Sequence, residues 1–521
     1  MNNRFCALLA GFSLAWAVPV LAGNVLCDPG FESDASGENQ NIVGWTTYGA
    51  NTFNESGTTA HSGNNYFKVF SARNGTVNYD GVYQDYISGP GATYNADVWA
   101  QTISSDVIAG GNIAWVEITF RDANANMLAL YRTSLINNGA TVNGSFPKNT
   151  WNHLFVTNQY DPNTFVITNT TSSLVAPDGT YFVRCQIVFQ GDVANSKGSV
   201  YFDDLSLNLT SASSYGNWNI VWSDEFDGTN INRNTWTYDT GASGWGNNEL
   251  ENYTTNASNS YVSNGLLHIV VQKSSGPSFT SARMKTQGLA AFLYGRFEWR
   301  VSLPAGTGFW PAVWFLGTNI DNAGIGWPAC GEVDVVENNG ASPNFVQGSL
   351  HSGSDETAIY NFLTGDSTTN FHTYVLDWST NSFIWYVDGH AYEMQTGWGN
   401  TLGQSFPAPF NQPEFMLFDF AVGGNYVGNP AATTIASNTF PAEMLIDYAR
   451  VYNTTAPLKL AMSRANNQIM LSWPSNVIGH LQTQSNMSGF NNANWSDLTV
   501  SNNPAAVNPT NTAAFFRLKS P

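Results

Sequence analysis

The chain has 521 residues, enough for two to four domains with cores of their own. It carries 19 Lys and Arg against 38 Asp and Glu, and the formal net charge of −19 argues against nucleic acid, anionic membrane surfaces and sulfated polymers as partners. Its polarity comes from Asn, Thr, Ser and Gly, which suit hydrogen bonding to hydroxyl groups, and its 18 Trp supply rings that can stack on sugars or fill β-sandwich cores.

Residues 1–22 have the plan of a secretory signal peptide. Arg4 lies before an apolar run over residues 6–21, and the small residue at the end of that run fits a cleavage site. The run is short, contains Pro19 and lacks a basic stop-transfer flank, which argues against a membrane anchor. No later segment reaches ~18 consecutive apolar residues. We therefore expect a secreted, extracellular protein without a membrane-spanning segment.

Export leaves three cysteines, Cys27, Cys185 and Cys330. Cys27 and Cys185 both fall in the first predicted domain, where a disulfide and a pair of free thiols explain them equally well. Cys330 is then expected to be unpaired. No cysteine spacing indicates a zinc site.

Nearly every segment after residue 22 is a short β-rich run broken by Gly, Asn, Asp or Pro, and no long amphipathic helical pattern occurs. The predicted fold class is therefore all-β, with sandwiches or jelly rolls as the default. Small polar stretches after two predicted strands divide the chain. The predicted organisation is a signal peptide (1–22), a first β-sandwich (23–209), a linker (210–216), a second β domain (217–453) and a small C-terminal β module (458–521).

The first β-sandwich resembles jelly-roll carbohydrate-binding modules. The resemblance rests on residues 24–32, Trp45, residues 61–63, Trp99 and the closing residues 201–205. In that family acidic residues at the two ends often hold a structural calcium, and Glu32 and Asp204 are the matching positions, although plain surface turns explain both equally well. Residues 458–521 look like small modules appended to exported bacterial enzymes, and structural and anchoring roles both stay open.

The most informative stretch is Gly331–Glu337. Val333, Val335 and Val336 make it a strand. In regular pleating Glu332 and Asp334 share one face and Glu337 lies on the other. One extra residue in a β-bulge near Val335 and Val336 would return Glu337 to the first face. Three carboxylates would then line one side of a sheet, which is costly unless they are solvated, bound to metal or functional.

Two carboxylates that flank a glycosidic bond are the usual machinery for hydrolysing it. One attacks the anomeric carbon while the other protonates the leaving oxygen, and neighbouring negative charge keeps that acid protonated. Asp334 lies between Glu332 and Glu337 and can supply that charge. With a bulge the two glutamate Cα atoms are still ~13 Å apart on a straight strand, so spacing alone leaves the stereochemistry open.

A series of motifs follows in one order along residues 218–452: Trp222–Phe226, Gly244–Leu250, Tyr294–Glu298, Trp310–Trp314, Gly326–Pro328, Gly331–Glu337, Trp385–Gly389, Ala421–Gly424 and Asp447–Tyr452. With these motifs the region resembles glycoside hydrolase family 16, most of all its bacterial laminarinases. The resemblance implies a curved β-sandwich jelly roll with an open cleft, retention of configuration, Glu332 as nucleophile, Glu337 as general acid/base and Asp334 assisting. Two residues between the Asp and the second Glu are typical of laminarinase-, agarase- and carrageenase-like members.

The resemblance also carries over binding positions. Its aromatic positions expected to stack on glucosyl rings are Trp310, Trp314, Trp245 and Trp327, for which core packing is nearly as good an explanation. Its candidate hydrogen-bonding partners are Asn247, Arg296 and His351; a salt bridge to Glu298 also explains Arg296, and a structural role also explains His351. Laminarinases usually have Asn where Asp419 stands, a departure that bears on fine specificity.

Relatives often hold one calcium away from catalysis, and the matching positions are Asp447, Glu225 and the backbone of Gly265. A capped turn explains either carboxylate without metal. No cofactor is expected for catalysis.

The predicted function is internal hydrolysis of β-1,3-glucosidic bonds in a neutral β-glucan by a double-displacement mechanism, and a monomer is expected. Agarase and mixed-linkage β-glucanase activity are the alternatives within the family. A non-catalytic glucan-binding protein and a calcium-dependent adhesin are the alternatives of another class.

Overall fold

The computed structural model describes residues 23–33, 42–71, 75–137, 140–141, 144–192, 197–211, 215 and 218–453, and six strands after residue 460. The predicted signal peptide and most of the predicted linker lie outside these residues. Contacts group the chain into two compact units, residues 1–217 with 224–450 and residues 218–223 with 451–521. The domain boundaries given above stay predictions.

Among the described residues regular structure is almost wholly β-strand, and the one α-helix is the single turn α1 (Ala432–Ile435). The all-β prediction is confirmed. None of the described helices combines the length and apolar character that crossing a bilayer requires. Cys27, Cys185 and Cys330 are all free thiols. Of the two explanations for Cys27 and Cys185, the structure therefore has the free thiols and not the disulfide, and Cys330 is unpaired as expected.

Residues 23–211, here the N-terminal β-sandwich, form two antiparallel sheets. One has the order β11-β5-β16-β3-β2, and the other joins β1, β4, β15, β6, β7, β12 and β13. Buried side chains such as Phe67, Val98, Phe120 and Phe189 form its core. The strands are β1 (Thr46–Tyr48), β2 (Thr52–Ser56), β3 (Asn65–Phe70), β4 (Asn78–Ile87), β5 (Thr93–Gln101), β6 (Ile113–Arg121), β7 (Met127–Arg132), β8 (Ile136–Asn137), β9 (Ala140–Thr141), β10 (Gly144–Ser145), β11 (Asn152–Phe155), β12 (Asn158–Tyr160), β13 (Ile167–Thr170), β14 (Leu174–Val175), β15 (Phe182–Gly191) and β16 (Ser199–Leu209).

The strands from residue 219 to residue 453 follow in chain order. They are β17 (Asn219–Asp224), β18 (Thr237–Asp239), β19 (Glu251–Tyr253), β20 (Ser260–Ser263), β21 (Leu266–Lys273), β22 (Phe279–Ser281), β23 (Arg283–Lys285), β24 (Gly295–Ser302), β25 (Phe309–Gly317), β26 (Glu332–Glu337), β27 (Phe345–His351), β28 (Asp355–Asn361), β29 (His372–Trp378), β30 (Phe383–Val387), β31 (His390–Gln395), β32 (Glu414–Val422) and β33 (Ala442–Asn453).

Residues 224–450, here the central domain, contain a second sandwich. Its inner sheet has the order β18-β23-β32-β25-β26-β27-β28. Its outer sheet joins β20, β21, β33, β24, β29, β30 and β31. Aromatic rings fill the space between the sheets: Phe315 of the inner sheet packs edge-on against Phe297 and Trp299 of the outer sheet, at centroid distances of 5.0 and 5.7 Å.

The part of the chain after residue 460 that the structure describes consists of strands in two small antiparallel sheets, β34-β35-β38 and β37-β36-β39. The strands are β34 (Ala461–Ala465), β35 (Gln468–Ser472), β36 (His480–Gln484), β37 (Ser496–Asp497), β38 (Ala505–Val507) and β39 (Phe515–Lys519).

Candidate active site

Strand β25 shows how the inner sheet separates core from cleft. Phe309, Val313 and Phe315 are at most 1% exposed and face the core. The alternate residues Trp310 and Trp314 face the other way and line a cleft of about 590 Å³. The cleft is therefore built on the open face of the inner sheet, and its floor consists of alternate residues from strands β25, β26, β27 and β32.

Strand β26 carries the predicted bulge. Asp334 lies opposite Trp314, while Val336 lies opposite Val313 and Glu337 opposite Ala312, so the register shifts by one extra residue between them. The pairing with β27 shifts over the same interval. The bulge prediction is confirmed, and Glu332, Asp334 and Glu337 all line the cleft.

His351 bridges two carboxylates at the end of strand β27. Its Nε2 lies 3.0 Å from Asp334 Oδ2, and its Nδ1 lies 2.7 Å from Asp355 Oδ1. Burial opposes the charged ring, but the hydrogen bond and charge of Asp334 outweigh burial and raise the pKa of His351 to about 10. The ring is therefore an imidazolium at neutral pH, which balances part of the negative charge in the cleft.

Glu337 lies on the bulge side of the carboxylate cluster and is 7% exposed. Trp310 Nε1 donates a hydrogen bond to its Oε1 at 3.0 Å. Burial, together with the charge of Asp334, raises the pKa of Glu337 to about 8. A carboxylic acid with such a pKa keeps its proton at neutral pH and can donate it to a leaving oxygen.

Glu332 is partly exposed to the cleft. Burial and the charge of Asp334 also raise its pKa well above the ordinary value, while the His351 imidazolium lowers it. Glu332 and Glu337 are therefore perturbed by the same neighbour, Asp334. Two carboxyl groups in one cleft can serve as one carboxylate for attack and one acid for proton donation.

Aromatic side chains form the walls of the cleft. Trp327 is 59% exposed, and its ring lies 6.1 Å from that of His351. The Trp310 ring packs at 5.1 Å against Tyr426. Trp245 and Asn247 also line the cleft, so the structure places all four predicted tryptophans and Asn247 there. Flat rings with polar groups between them suit the apolar faces and hydroxyl edges of sugars.

A buried polar network in the floor of the cleft was not predicted from the sequence. Asp419 accepts hydrogen bonds from Trp314 Nε1 at 2.6 Å and from the Tyr253 hydroxyl at 3.0 Å. The Arg283 guanidinium lies between the Trp314 and Trp245 rings, at 4.7 and 5.0 Å. These groups come from segments far apart in sequence. The one sequence feature that pointed to the network was Asp419, which stands where laminarinases usually have Asn. The network fixes the orientation of two cleft tryptophans.

Arg296 does not line the cleft, which corrects its prediction as a substrate-binding residue. Its side chain is 0% exposed and makes a bidentate ion pair with Asp377, both N–O distances being 2.7 Å. Nη2, one of the two nitrogens of that pair, also donates a hydrogen bond to the carbonyl oxygen of Tyr181 at 2.9 Å. The salt-bridge explanation was right in kind, but its main partner is Asp377 rather than Glu298.

Both carboxylates of the predicted calcium site pair with arginines in this structure, and the calcium site stays a prediction. Asp447 Oδ2 lies 2.7 Å from a guanidinium nitrogen of Arg300, and Glu225 Oε2 lies 2.7 Å from Nη2 of Arg450. Each carboxylate thus has an arginine as its partner. Gly265 has a φ of +75°, which suits a turn.

Within the described residues a group of His, Cys, Asp and Glu side chains that could hold a metal is Glu332, Asp334 and His351, whose ligand atoms lie within 4.8 Å of one another. In this structure His351 pairs with both Asp334 and Asp355.

A β-sandwich with paired carboxylates on the floor of a tryptophan-lined cleft defines a glycoside hydrolase. The family model described as glycosyl hydrolases family 16 matches residues 247–437. A beta-glucanase of Rhodothermus marinus is 35% identical over 45% of this chain and 85% of its own length. A glucan endo-1,3-beta-glucosidase of Cryptopygus antarcticus is 35% identical over 44% of this chain and 92% of its own length. The chain belongs to glycoside hydrolase family 16.

Among solved structures, the endo-beta-1,3-glucanase of Pyrococcus furiosus is 39% identical. The match covers 45% of this chain and 94% of that chain, with a TM-score of 0.40.

Proposed function

We propose that the protein is a secreted endo-glycosidase that hydrolyses internal β-1,3-glucosidic bonds of laminarin-type glucans with retention of configuration. The observation that carries the proposal is the bulge of strand β26, because it places the side chains of Glu332, Asp334 and Glu337 in the same open cleft. An open cleft admits the middle of a polymer, as internal cleavage requires. The named activities of the relatives support the β-1,3-glucan substrate.

In the proposed first step a Glu332 carboxylate oxygen attacks the anomeric carbon. The glycosidic C–O bond breaks as Glu337 gives its proton to the leaving oxygen, and a glycosyl ester forms on Glu332. In the second step Glu337, now ionised, takes a proton from a water molecule that attacks the same carbon. The ester bond breaks, Glu332 leaves as a carboxylate and Glu337 is protonated again.

Azide rescue distinguishes the two glutamates. In Glu332→Ala azide replaces the missing nucleophile, and the expected product from an activated β-laminaribioside is the α-glycosyl azide. In Glu337→Ala the glycosyl ester still forms and azide opens it, so the expected product is the β-azide. Without azide, both variants should lose several orders of magnitude in laminarin turnover. Near-normal turnover in Glu332→Ala, or the opposite pairing of variants and azides, would refute the assignment.

The substrate is tested with laminarin, lichenan and agarose under one set of conditions, with products resolved by size. We expect a ladder of oligosaccharides from laminarin first, because internal cleavage releases several lengths together. Faster cleavage of lichenan or agarose would favour a mixed-linkage β-glucanase or an agarase. Release of no reducing ends from any of them would favour a glucan-binding protein. Hydrolysis that survives EDTA and is abolished by Glu332→Gln would exclude the calcium-dependent adhesin.

The N-terminal β-sandwich is proposed as a carbohydrate-binding module. On its sheet β11-β5-β16-β3-β2, the Trp99 ring stacks between His61 at 4.0 Å and His153 at 4.5 Å, and Phe155 continues the row at 4.3 Å from His153. Phe155 is 55% exposed. A row of partly exposed rings offers a stacking surface for a polysaccharide.

Binding of the full chain to insoluble β-1,3-glucan tests this module, with Glu332→Gln introduced to prevent hydrolysis. Phe155→Ala should weaken binding at least threefold, since it removes an exposed ring of the row. Phe165→Ala is the matched control, because Phe165 is 50% exposed in the same sandwich and outside the row. Equal binding of the two variants would count against the row as the site.

A further inference from the structure

The outer sheet of the central domain does not face water over its whole width. A cluster of buried apolar side chains joins it to the N-terminal β-sandwich. Ile87 and Phe182 of the sandwich, 2% and 1% exposed, pack with Val375, Ile384 and Tyr386 of strands β29 and β30, each 1% exposed. Burial this complete is typical of a domain core or of a permanent interface.

The backbones of the two parts also meet. The amide of Ile87 donates a hydrogen bond to the carbonyl of Gly389 at 2.7 Å, and Tyr86 pairs with His390 across the ends of strands β4 and β31. Gly389 has a φ of +87° in the turn between β30 and β31. A Cβ at that position would lie 2.4 Å from the Tyr86 ring, so the contact requires glycine.

A buried ion pair completes the interface. The bidentate Arg296–Asp377 pair belongs to the central domain, and the Tyr386 hydroxyl donates a further hydrogen bond to Asp377 at 2.9 Å. Arg296 then bonds the carbonyl of Tyr181 in the sandwich, and its guanidinium lies 4.8 Å from the ring of Tyr215. A fully buried guanidinium is costly without full hydrogen bonding, and here part of that bonding comes from the sandwich.

We propose that this face of the outer sheet, formed by strands β29, β30 and β31 with Arg296, is a permanent docking surface whose occupant is the N-terminal β-sandwich of the same chain. The two parts form one folding body rather than a catalytic domain with a loosely tethered module. Without the sandwich Val375, Ile384 and Tyr386 would face water, and Arg296 would lose the Tyr181 carbonyl. This inference does not depend on which polysaccharide the enzyme cleaves.

A cleavable linker tests the docking surface in the full chain. A protease recognition sequence replaces residues 212–214, and the folded protein is cut there. We expect the two fragments to co-elute as one species in size-exclusion chromatography at micromolar concentration, with the hydrolytic activity of the uncut enzyme. Separation of the fragments at that concentration would refute the proposal.

A second experiment weakens the surface at its margin, where the fold should tolerate the change. Ala391, partly buried against the cluster, is replaced by Arg in the cleavable chain. The dissociation constant of the cut fragments should rise at least tenfold, because a charge enters an apolar contact. Ala341→Arg is the matched control at an exposed turn and should leave it unchanged. Equal dissociation constants in the two variants would overturn the proposal.

Discussion

Single residues in the cleft hold their protons more tightly than the free side chains do, and this has a consequence for stability. The pKa of Glu337 rises from 4.5 to about 8 through burial and the charge of Asp334. The folded state therefore binds this proton more tightly than the unfolded state, and stability falls as pH rises from about 4.5 through about 8. The cluster is a place where stability is lost for chemical reactivity.

Replacing Glu337 by Gln should therefore stabilise the protein while abolishing turnover. The expected melting temperature is several degrees higher at pH 8 and nearly unchanged at pH 4, where Glu337 is protonated in both states. Calorimetry at the two pH values measures the difference. Glu356→Gln, on strand β28 outside the cleft, shows the effect of removing one negative charge elsewhere. An equal gain in both variants, or a gain at pH 4, would contradict this reasoning.

The same proton sets the alkaline limit of activity. In the free enzyme kcat/KM should fall as pH rises through about 8, since Glu337 then loses the proton it must donate. His351 lowers the pKa of Glu337. In His351→Asn the alkaline limb should move to higher pH. The control is His268→Asn, because His268 pairs with Glu443 and not with a carboxylate of the cleft. This variant should keep the alkaline limb of the wild-type pH profile. A limb that moves downward in His351→Asn would exclude this role for the imidazolium.

At the scale of elements, the strand pattern was predictable wherever alternation alone decides it. The bulge of strand β26 and the cleft-facing residues of strand β25 follow from period two and one extra residue. The position of Arg296 was not predictable, because its partner Asp377 lies 81 residues further along the chain and its Tyr181 contact 115 residues before it. Periodicity tells which face a residue takes but not which strands meet.

Strand β32 carries Asp419, whose carboxylate accepts the hydrogen bond of the cleft residue Trp314. In Asp419→Asn the Oδ1 atom can still accept from Trp314, while the Tyr253 hydroxyl keeps Glu249 as an acceptor at 3.2 Å. Arg283 loses a buried charge partner but retains Asp239. We expect KM for laminarin to change less than about threefold and the melting temperature to fall by a few degrees.

Steady-state kinetics and thermal unfolding of Asp419→Asn and Asp419→Ala measure this effect. The alanine variant should be less stable and have the higher KM, because Trp314 Nε1 loses the Asp419 carboxylate as its hydrogen-bond acceptor. A drop of several orders of magnitude in kcat for the asparagine variant would instead place Asp419 within the reacting groups.

At the scale of the whole molecule, the chain carries a formal net charge of −19. Acidic residues also outnumber basic ones in the lining of the cleft. Its lining has two cationic residues, Arg283 and His351, and both are paired with carboxylates. The acidic residues of the lining are Glu249, Glu332, Asp334, Glu337, Asp355 and Asp419. The net negative charge of the chain repels anionic polymers over distances set by the ionic strength.

Sulfated polysaccharides should therefore neither be cleaved nor compete with laminarin. We expect κ-carrageenan to leave the rate of laminarin hydrolysis within about 20% of its uninhibited value at 10 mM salt, where the Debye length is ~30 Å and repulsion is strongest. Chitosan oligosaccharides, which carry the opposite charge, should inhibit at 10 mM salt and progressively less as salt is added. Inhibition by carrageenan that grows as salt is removed would show an attractive basic site on the enzyme, and the charge argument would then be wrong.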